Sequence, residues 1–370
     1  MAPKAQSTIA ISYYILGSLT PRPASIQQID KQYLEYSFSA YFPSAYPTLK
    51  QKTKLKTPSA DVPDYTKTDG LVTSKDPEVQ GASLTYGTYE SRVEAGAFYP
   101  VSVRYEFTKP ITVADYLERD VEVSHWGGNL AVEERYSLRN DGATLKDSFN
   151  RGLYATSNFY QNVPSSALKE LKFSLKPGSV DPYFTDDIGN VSTSRYRPGV
   201  TREASLELKP RYPVFGGWKY SFRIGWNNAL STVVRQLQTP SNTYVLSIPF
   251  VEGPRMPEGV QYKRVQFRVI LPEGSKITAW ETNGGTNLPL LHAEESLHKT
   301  FMDTLGRTTL QLSAVNVVDE LRDLNVLVSY EYTTAAALRK PLSIIAGVFS
   351  VFVLTYAVSL IDTSIGRKQK

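Results

Sequence analysis

Apolar positions divide this chain into two unequal parts. Up to about residue 336, short runs that alternate apolar and polar residues, or that are dense in aromatics, recur at 33–38 (YLEYSF), 101–107 (VSVRYEF), 171–175 (LKFSL), 218–226 (WKYSFRIGW), 244–250 (YVLSIPF), 265–271 (VQFRVIL) and 325–332 (NVLVSYEY). A period of two puts alternate side chains on one face of an extended chain, the pattern of a half-buried strand. Turn-forming sequences stand between the runs, such as Lys176-Pro177-Gly178-Ser179 and Pro272-Glu273-Gly274. Many short strands punctuated in this way predict a mainly β fold of sandwich-like domains. Residues 9–16 (IAISYYIL) read as a further strand, and only 143–150 and 317–324 offer short helical patterns. The second part is residues 342–361, LSIIAGVFSVFVLTYAVSLI, without a charge. At about 1.5 Å per residue such a helix is roughly 30 Å long, the thickness of a bilayer's hydrocarbon core.

An internal echo sets the expected domain organisation. Residues 101–108 read VSVRYEFT and 326–333 read VLVSYEYT, with Phe107 aligned on Tyr332. Each is followed by a Lys-Pro pair, Lys109-Pro110 and Lys340-Pro341. Both read as the last strand of a β domain. The expected units are a remnant of a first domain at 1–112, a second at 113–336, a transmembrane helix at 341–361 and a short tail at 362–370. The first unit is half the length of the second, and 9–16 lacks a clean small-residue cleavage site of a signal peptide. The expectation is therefore a chain that begins inside its first domain.

Charge and chemistry narrow the function. A net charge of +5, with 41 basic residues scattered among 36 acidic ones, does not point to nucleic acid. Lys50, Lys52, Lys54 and Lys56 share one face of an extended segment, as in a solvated edge strand. The chain has no cysteine, which removes disulfides, thiolate catalysis and Cys-ligated metals. His125, His292 and His298 have no metal-ligand spacing; the last two read as solvated loop residues, and His125 as a structural hydrogen-bonding partner. Asp186-Asp187 before Ile188-Gly189-Asn190 reads as a turn, and Gly216-Gly217 as tight backbone packing beside Trp218. No phosphate-binding loop, nucleophile elbow or dinucleotide fingerprint is present. No catalytic, cofactor-binding or metal-binding residue is assigned, and no cofactor is expected. An enzymatic reading, a glycosidase on Asp186 or on Glu133 and Glu134, ranks below two others: a subunit of a membrane complex, and a stand-alone anchored receptor for glycans or proteins using aromatics such as Trp126 or Trp280.

Further signals belong to a membrane protein. Asn190-Val191-Ser192 is an N-glycosylation acceptor sequence. In the span, Ser343 and Gly347, and Ala346 and Ser350, lie four apart, a shallow face on which a second helix packs closely. Arg367, Lys368 and Lys370 beyond the span place the C-terminus in the cytosol, opposed by Arg339 and Lys340 before it. The final Arg367-Lys368-Gln369-Lys370 approximates a dibasic retrieval signal.

Longer strings carry a resemblance. Residues 122–134 (EVSHWGGNLAVEE), 183–194 (YFTDDIGNVSTS), 210–219 (PRYPVFGGWK), 269–276 (VILPEGSK) and 301–307 (FMDTLGR) occur in the order seen in the ribophorin I family, with a looser likeness around 49–56. That family is a subunit of the oligosaccharyltransferase complex. The resemblance implies two tandem luminal β-rich domains and one C-terminal span in the endoplasmic reticulum membrane. It implies a non-catalytic role in transferring a preassembled oligosaccharide from dolichyl diphosphate to Asn of N-x-Ser/Thr sequons. The implied partners are the other subunits, including the multi-span catalytic one, the nascent polypeptide and the bilayer. The catalytic subunit's Trp-Trp-Asp motif is absent here, and the family's sequon maps onto Asn190. The chain departs from the family pattern by starting inside the first domain. It also carries one extra glycine, Gly127 or Gly128, which implies a lengthened turn.

Overall fold

A computed structural model describes residues 7–68, 71, 75–283, 291–300 and 303–361. The tail at 362–370, with its basic residues, and residues 301–302 lie outside the described residues. Each strand-like run except 9–16 forms a strand. Eight strands build the largest sheet, side by side in the order Gly189–Asn190, Val180–Asp186, Lys219–Ala229, Asn129–Asn140, Thr112–Ser124, Val260–Glu273, Arg307–Val318 and His292–His298. Neighbours are antiparallel except Thr112–Ser124 against Val260–Glu273. The alternation is clean in Asn129–Asn140: Leu130, Val132, Glu134, Tyr136 and Leu138 are buried, whereas Glu133, Arg135 and Arg139 face outward. The buried face shares one core with a three-stranded sheet (Leu171–Leu175, Ala204–Leu208, Ser194–Arg197) and a four-stranded sheet (Val234–Gln236, Thr243–Pro249, Asn325–Glu331, Lys276–Thr282).

A smaller core lies N-terminal to this one, around Leu84, Tyr86, Tyr89, Val101 and Val103. It is built by a four-stranded sheet (Leu19–Pro21, Tyr33–Ser39, Pro100–Glu106, Asp64–Tyr65) and a three-stranded one (Gln51–Lys56, Ser83–Tyr89, Glu78–Gln80). The two four-stranded sheets have the same plan. Their first, second, fourth and third strands in chain order lie side by side, all antiparallel. The echoed segments occupy the same place in each, and Val101, Val103 and Tyr105 are buried like Val326, Val328 and Tyr330. Buried Gln32 ties the N-terminal strands to the larger core, donating to Phe107 O and Lys109 O and accepting from Ala143 N–H.

Several local expectations are corrected. Residues 9–16 form no strand; Ile9, Ile11 and Tyr13 are exposed, and the backbone joins no ladder among the described residues. An apolar run needs a hydrogen-bonding neighbour to become a strand. Residues 143–150 are not helical: Thr144–Leu145 pairs with Ser25–Ile26, and a short helix, Arg151–Ala155, follows. It starts there because Asn150 is its N-cap, its side chain accepting from Leu153 N–H at 3.0 Å. Residues 317–318 finish a strand, and only Asp319–Asp323 turns as a 3-10 helix. His292 and His298 end an exposed edge strand rather than lying in a loop. The C-terminal helix runs Thr334–Ser359, starting seven residues before the expected 341. Thr333 caps it by accepting from Ala336 N–H at 3.2 Å, so Pro341 lies inside it.

Candidate functional site: the neck between body and anchor

The C-terminal helix leaves the body directly after the buried strand Asn325–Glu331, and its first two turns are held by the body. Proline has no N–H, so Pro341 cannot bond the carbonyl four residues back, at Ala337. Trp126, at the turn between Thr112–Ser124 and Asn129–Asn140, fills that gap: its indole Nε1–H donates to Ala337 O at 2.8 Å. The turn at 125–128 carries Trp126 to this point, and Gly128 takes a positive φ of 63° within it. On the other side, Gly274 has φ +82°, and a Cβ there would lie 3.0 Å from the Ala336 Cβ. Only glycine allows both this turn and this approach of the helix.

Charged groups complete the collar. Lys340 Nζ lies 2.6 Å from Asp303 Oδ1. Arg307 pairs with both Asp303 and Glu122. Burial opposes ionisation of Asp303, but the Lys340 ammonium and the Thr300 hydroxyl and amide outweigh it and hold its carboxyl well below the usual carboxylate range. Glu273 pins the adjoining loop, one oxygen accepting from Thr304 N–H, Thr304 Oγ1–H and Leu305 N–H at 2.8, 2.6 and 2.6 Å. Between helix and body these groups enclose a cavity of about 310 Å³, lined by Val123, Trp126, Pro272, Tyr332, Pro341 and Ile344 among others. Behind it His125 Nε2 lies 2.8 Å from Tyr330 Oη, packed among the rings of Tyr244, Tyr330 and Tyr332. Burial lowers its pKa and keeps the ring neutral. The neck holds a helix at a set angle and offers a part-apolar recess. It brings together residues that the sequence kept apart, since Trp126 and Ala337 are 211 positions distant.

The other singled-out residues lie elsewhere. Ser343, Ala346, Gly347 and Ser350 are exposed along the helix, and nothing lies within 4 Å of a Cβ built on Gly347. The Ser343 and Ser350 hydroxyls donate to Lys340 O and Ala346 O, which leaves the face apolar enough for lipid or a helix. Asn190 is exposed, on the second strand of a hairpin in which Thr185 pairs with it. Asp186 builds that hairpin: it accepts from Ile188 and Gly189 N–H, and Arg211 grips it with Nε at 2.5 Å and Nη2 at 3.0 Å. Arg211 Nη2 also reaches Asn190 O at 3.1 Å. The Arg211 bond holds the Asp186 carboxyl below its ordinary range, a structural role. Glu133 and Glu134 point to opposite faces of their strand. Glu133 pairs outside with Arg135, and Glu134 is buried against Arg119. They do not form an acid and base pair. Trp280 is half-buried against the core rather than displayed. Gly216 pairs closely with the backbone at Ala143 and Thr144, and Trp218 meets Phe149 and Phe215 edge to face. Lys52, Lys54 and Lys56 face solvent on an edge strand, as expected, whereas Lys50 lies just before that strand and pairs with Glu90. No group of three or more potential metal ligands occurs among the described residues.

The sequence profile of the family described as Ribophorin I matches residues 1–359. The dolichyl-diphosphooligosaccharide–protein glycosyltransferase subunit 1B of Oryza sativa subsp. japonica is 33% identical over 99% of this chain and 73% of its own length. Subunit 1 of Caenorhabditis elegans is 33% identical over 99% of this chain and 59% of its own, so the chain spans under two thirds of that relative. Subunit 1 of Schizosaccharomyces pombe is 32% identical over 90% and 72%. Among solved structures, an M1 zinc metallopeptidase from Deinococcus radiodurans aligns with 59% of this chain and 42% of its own at 12% identity and a TM-score of 0.33.

Proposed function

This chain belongs to the ribophorin I family, and from that premise we propose that it acts as a non-catalytic, membrane-anchored subunit of the oligosaccharyltransferase complex of the endoplasmic reticulum. In this role it supports transfer of a preassembled oligosaccharide from dolichyl diphosphate to Asn of N-x-Ser/Thr sequons in nascent proteins. The observation that carries the reading is a family match extending across both the β-rich body and the anchor helix. The large domain is luminal and the C-terminus cytosolic. The body comprises two tandem units, 1–112 and 113–336, a division supported by the shared strand order of the two four-stranded sheets.

The chemistry belongs to a separate multi-span subunit. This chain contributes assembly through the small-residue face at Ser343, Ala346, Gly347 and Ser350, and a body held at a defined angle by the neck. A body so held keeps an extended substrate chain near the catalyst, raising its local concentration without adding a catalytic group. The exposed hairpin around Asn190 is open to glycosylation, and Asn190→Gln is expected to remove one glycan's mobility shift on a denaturing gel. The deciding experiment is purification of the tagged chain in mild detergent, with mass spectrometry of what stays bound. Stoichiometric recovery of a multi-span glycosyltransferase and its companion subunits is expected. Recovery of the chain alone, under conditions that keep that complex intact, overturns the proposal.

A further inference from the structure

We propose that the outer face of the eight-stranded sheet binds a neutral oligosaccharide, with the Tyr183 ring as the surface on which one pyranose stacks. Strand register builds the site. Glu133 lies between Asp120 and Gly225 of the two neighbouring strands, and Ala131 between Glu122 and Asn227, all on the side away from the core. Ala131 and Gly225 bring no bulk to that face. A cavity of about 450 Å³ lies there, lined by Ala131, Glu133, Tyr183, Asn227, Arg268 and His298 among others, within the ~300–1,000 Å³ of ligand pockets. Tyr183 reaches across from the next strand and is fixed at two points. Its ring lies over Gly225, where any Cβ would run into it, and its hydroxyl donates to Glu133 Oε2. It is still 39% exposed. A ring held in this way has little freedom left to lose on binding, and its face takes the apolar C–H face of a sugar ring.

The balance of charge on this face makes the ligand a neutral one. Arg135 pairs with Glu118, Asp120 and Glu133; Arg268 pairs with Glu118 and Asp120. Arg223 faces Glu133, and Arg307 faces Glu122. Each carboxylate of the group has its guanidinium, so an anionic or a cationic ligand finds no surplus partner. A sugar hydroxyl donates and accepts at once, and these pairs hold both kinds of partner in place: Arg268 grips Asp120 through Nε and Nη2, each at 2.6 Å. An extended peptide docks on a sheet by joining a free edge. Here Thr112–Ser124, Asn129–Asn140 and Lys219–Ala229 are each hydrogen-bonded to a strand on both sides. The proposal needs neither the anchor nor the complex.

The test uses the full chain in lipid nanodiscs, without sugar-headed detergent and after enzymatic removal of any N-glycan. Maltotetraose, mannotetraose and chitotetraose are titrated by calorimetry and by saturation-transfer NMR. At least one is expected to bind with a Kd of about 1 mM or tighter. A heparin-derived tetrasaccharide and tetralysine are expected to bind at least tenfold more weakly than that sugar. Tyr183→Ala is expected to weaken sugar binding about tenfold, the upper range for an aromatic stack. Tyr183→Phe keeps the ring and is expected to cost less. Ala131→Trp fills the floor of the cavity from the solvent side. It is expected to abolish binding, and it decides the matter if Tyr183→Ala does not fold. No binding of any of the three sugars, tighter binding of either charged probe, or sugar binding undiminished in Ala131→Trp overturns the proposal. So does a neutral Gly-Ser peptide that binds more tightly than the sugars.

Discussion

Single side chains at the neck do what no local pattern requires of them. The Pro341 ring removes an N–H, the Ala337 carbonyl is left over, and an indole from the far end of the sheet takes it. Trp126→Phe keeps the ring and removes the donor. It is expected to destabilise the start of the helix by about 1 kcal/mol, seen as faster hydrogen exchange confined to residues 334–341. Deeper in the body, Arg119 is 1% exposed, and its guanidinium bridges Glu134 and Glu252 beneath the Trp226 ring. Burial opposes the charge on Arg119, and the two carboxylates outweigh it and raise its pKa. Arg119→Met leaves two buried carboxylates without their cation. A loss of about 3–5 kcal/mol in denaturant unfolding is expected, with native-like stability indicating that the carboxylates take up protons instead.

Among the elements, the C-terminal helix joins two environments and carries a different face in each. Its first two turns are set against the body by Gly274, Trp126 and Asp303. Its lower turns are exposed all round, with Gly347 opening the shallowest point. Gly347→Leu is expected to cut co-purification of the multi-span subunit at least tenfold while leaving the melting temperature of the body unchanged. Unchanged recovery places the contact on another face. In the hairpin that presents Asn190, Arg211 holds Asp186 and the Asn190 carbonyl together.

For the molecule as a whole, the acid limb of stability is set by groups in both places. His125 is kept neutral by burial, so its folded pKa lies below the ordinary 6.5. The unfolded chain then binds the proton more readily, and stability falls as pH drops from 6.5 through the folded value. Asp186 and Asp303 have folded pKa values below the ordinary 3.8. Their contribution is complete above 3.8 and is lost as pH falls through the depressed values. Melting temperature against pH is therefore expected to decline in two stages, and His125→Asn is expected to remove the first alone. The mainly β class, the positions of most strands and the anchor were legible in the chain, because burial on one face imposes a period of two and a bilayer imposes a length. Residues 9–16 show the limit of that reading: they carry the apolar pattern and lack a partner strand. Glu133 and Glu134 are adjacent in sequence yet divided between solvent and core by the pleat. Strand order and the meeting of Trp126 with Ala337 depend on contacts between distant segments. Local periodicity records which face of an element is buried, but not which other element covers it; that assignment comes from packing the whole chain.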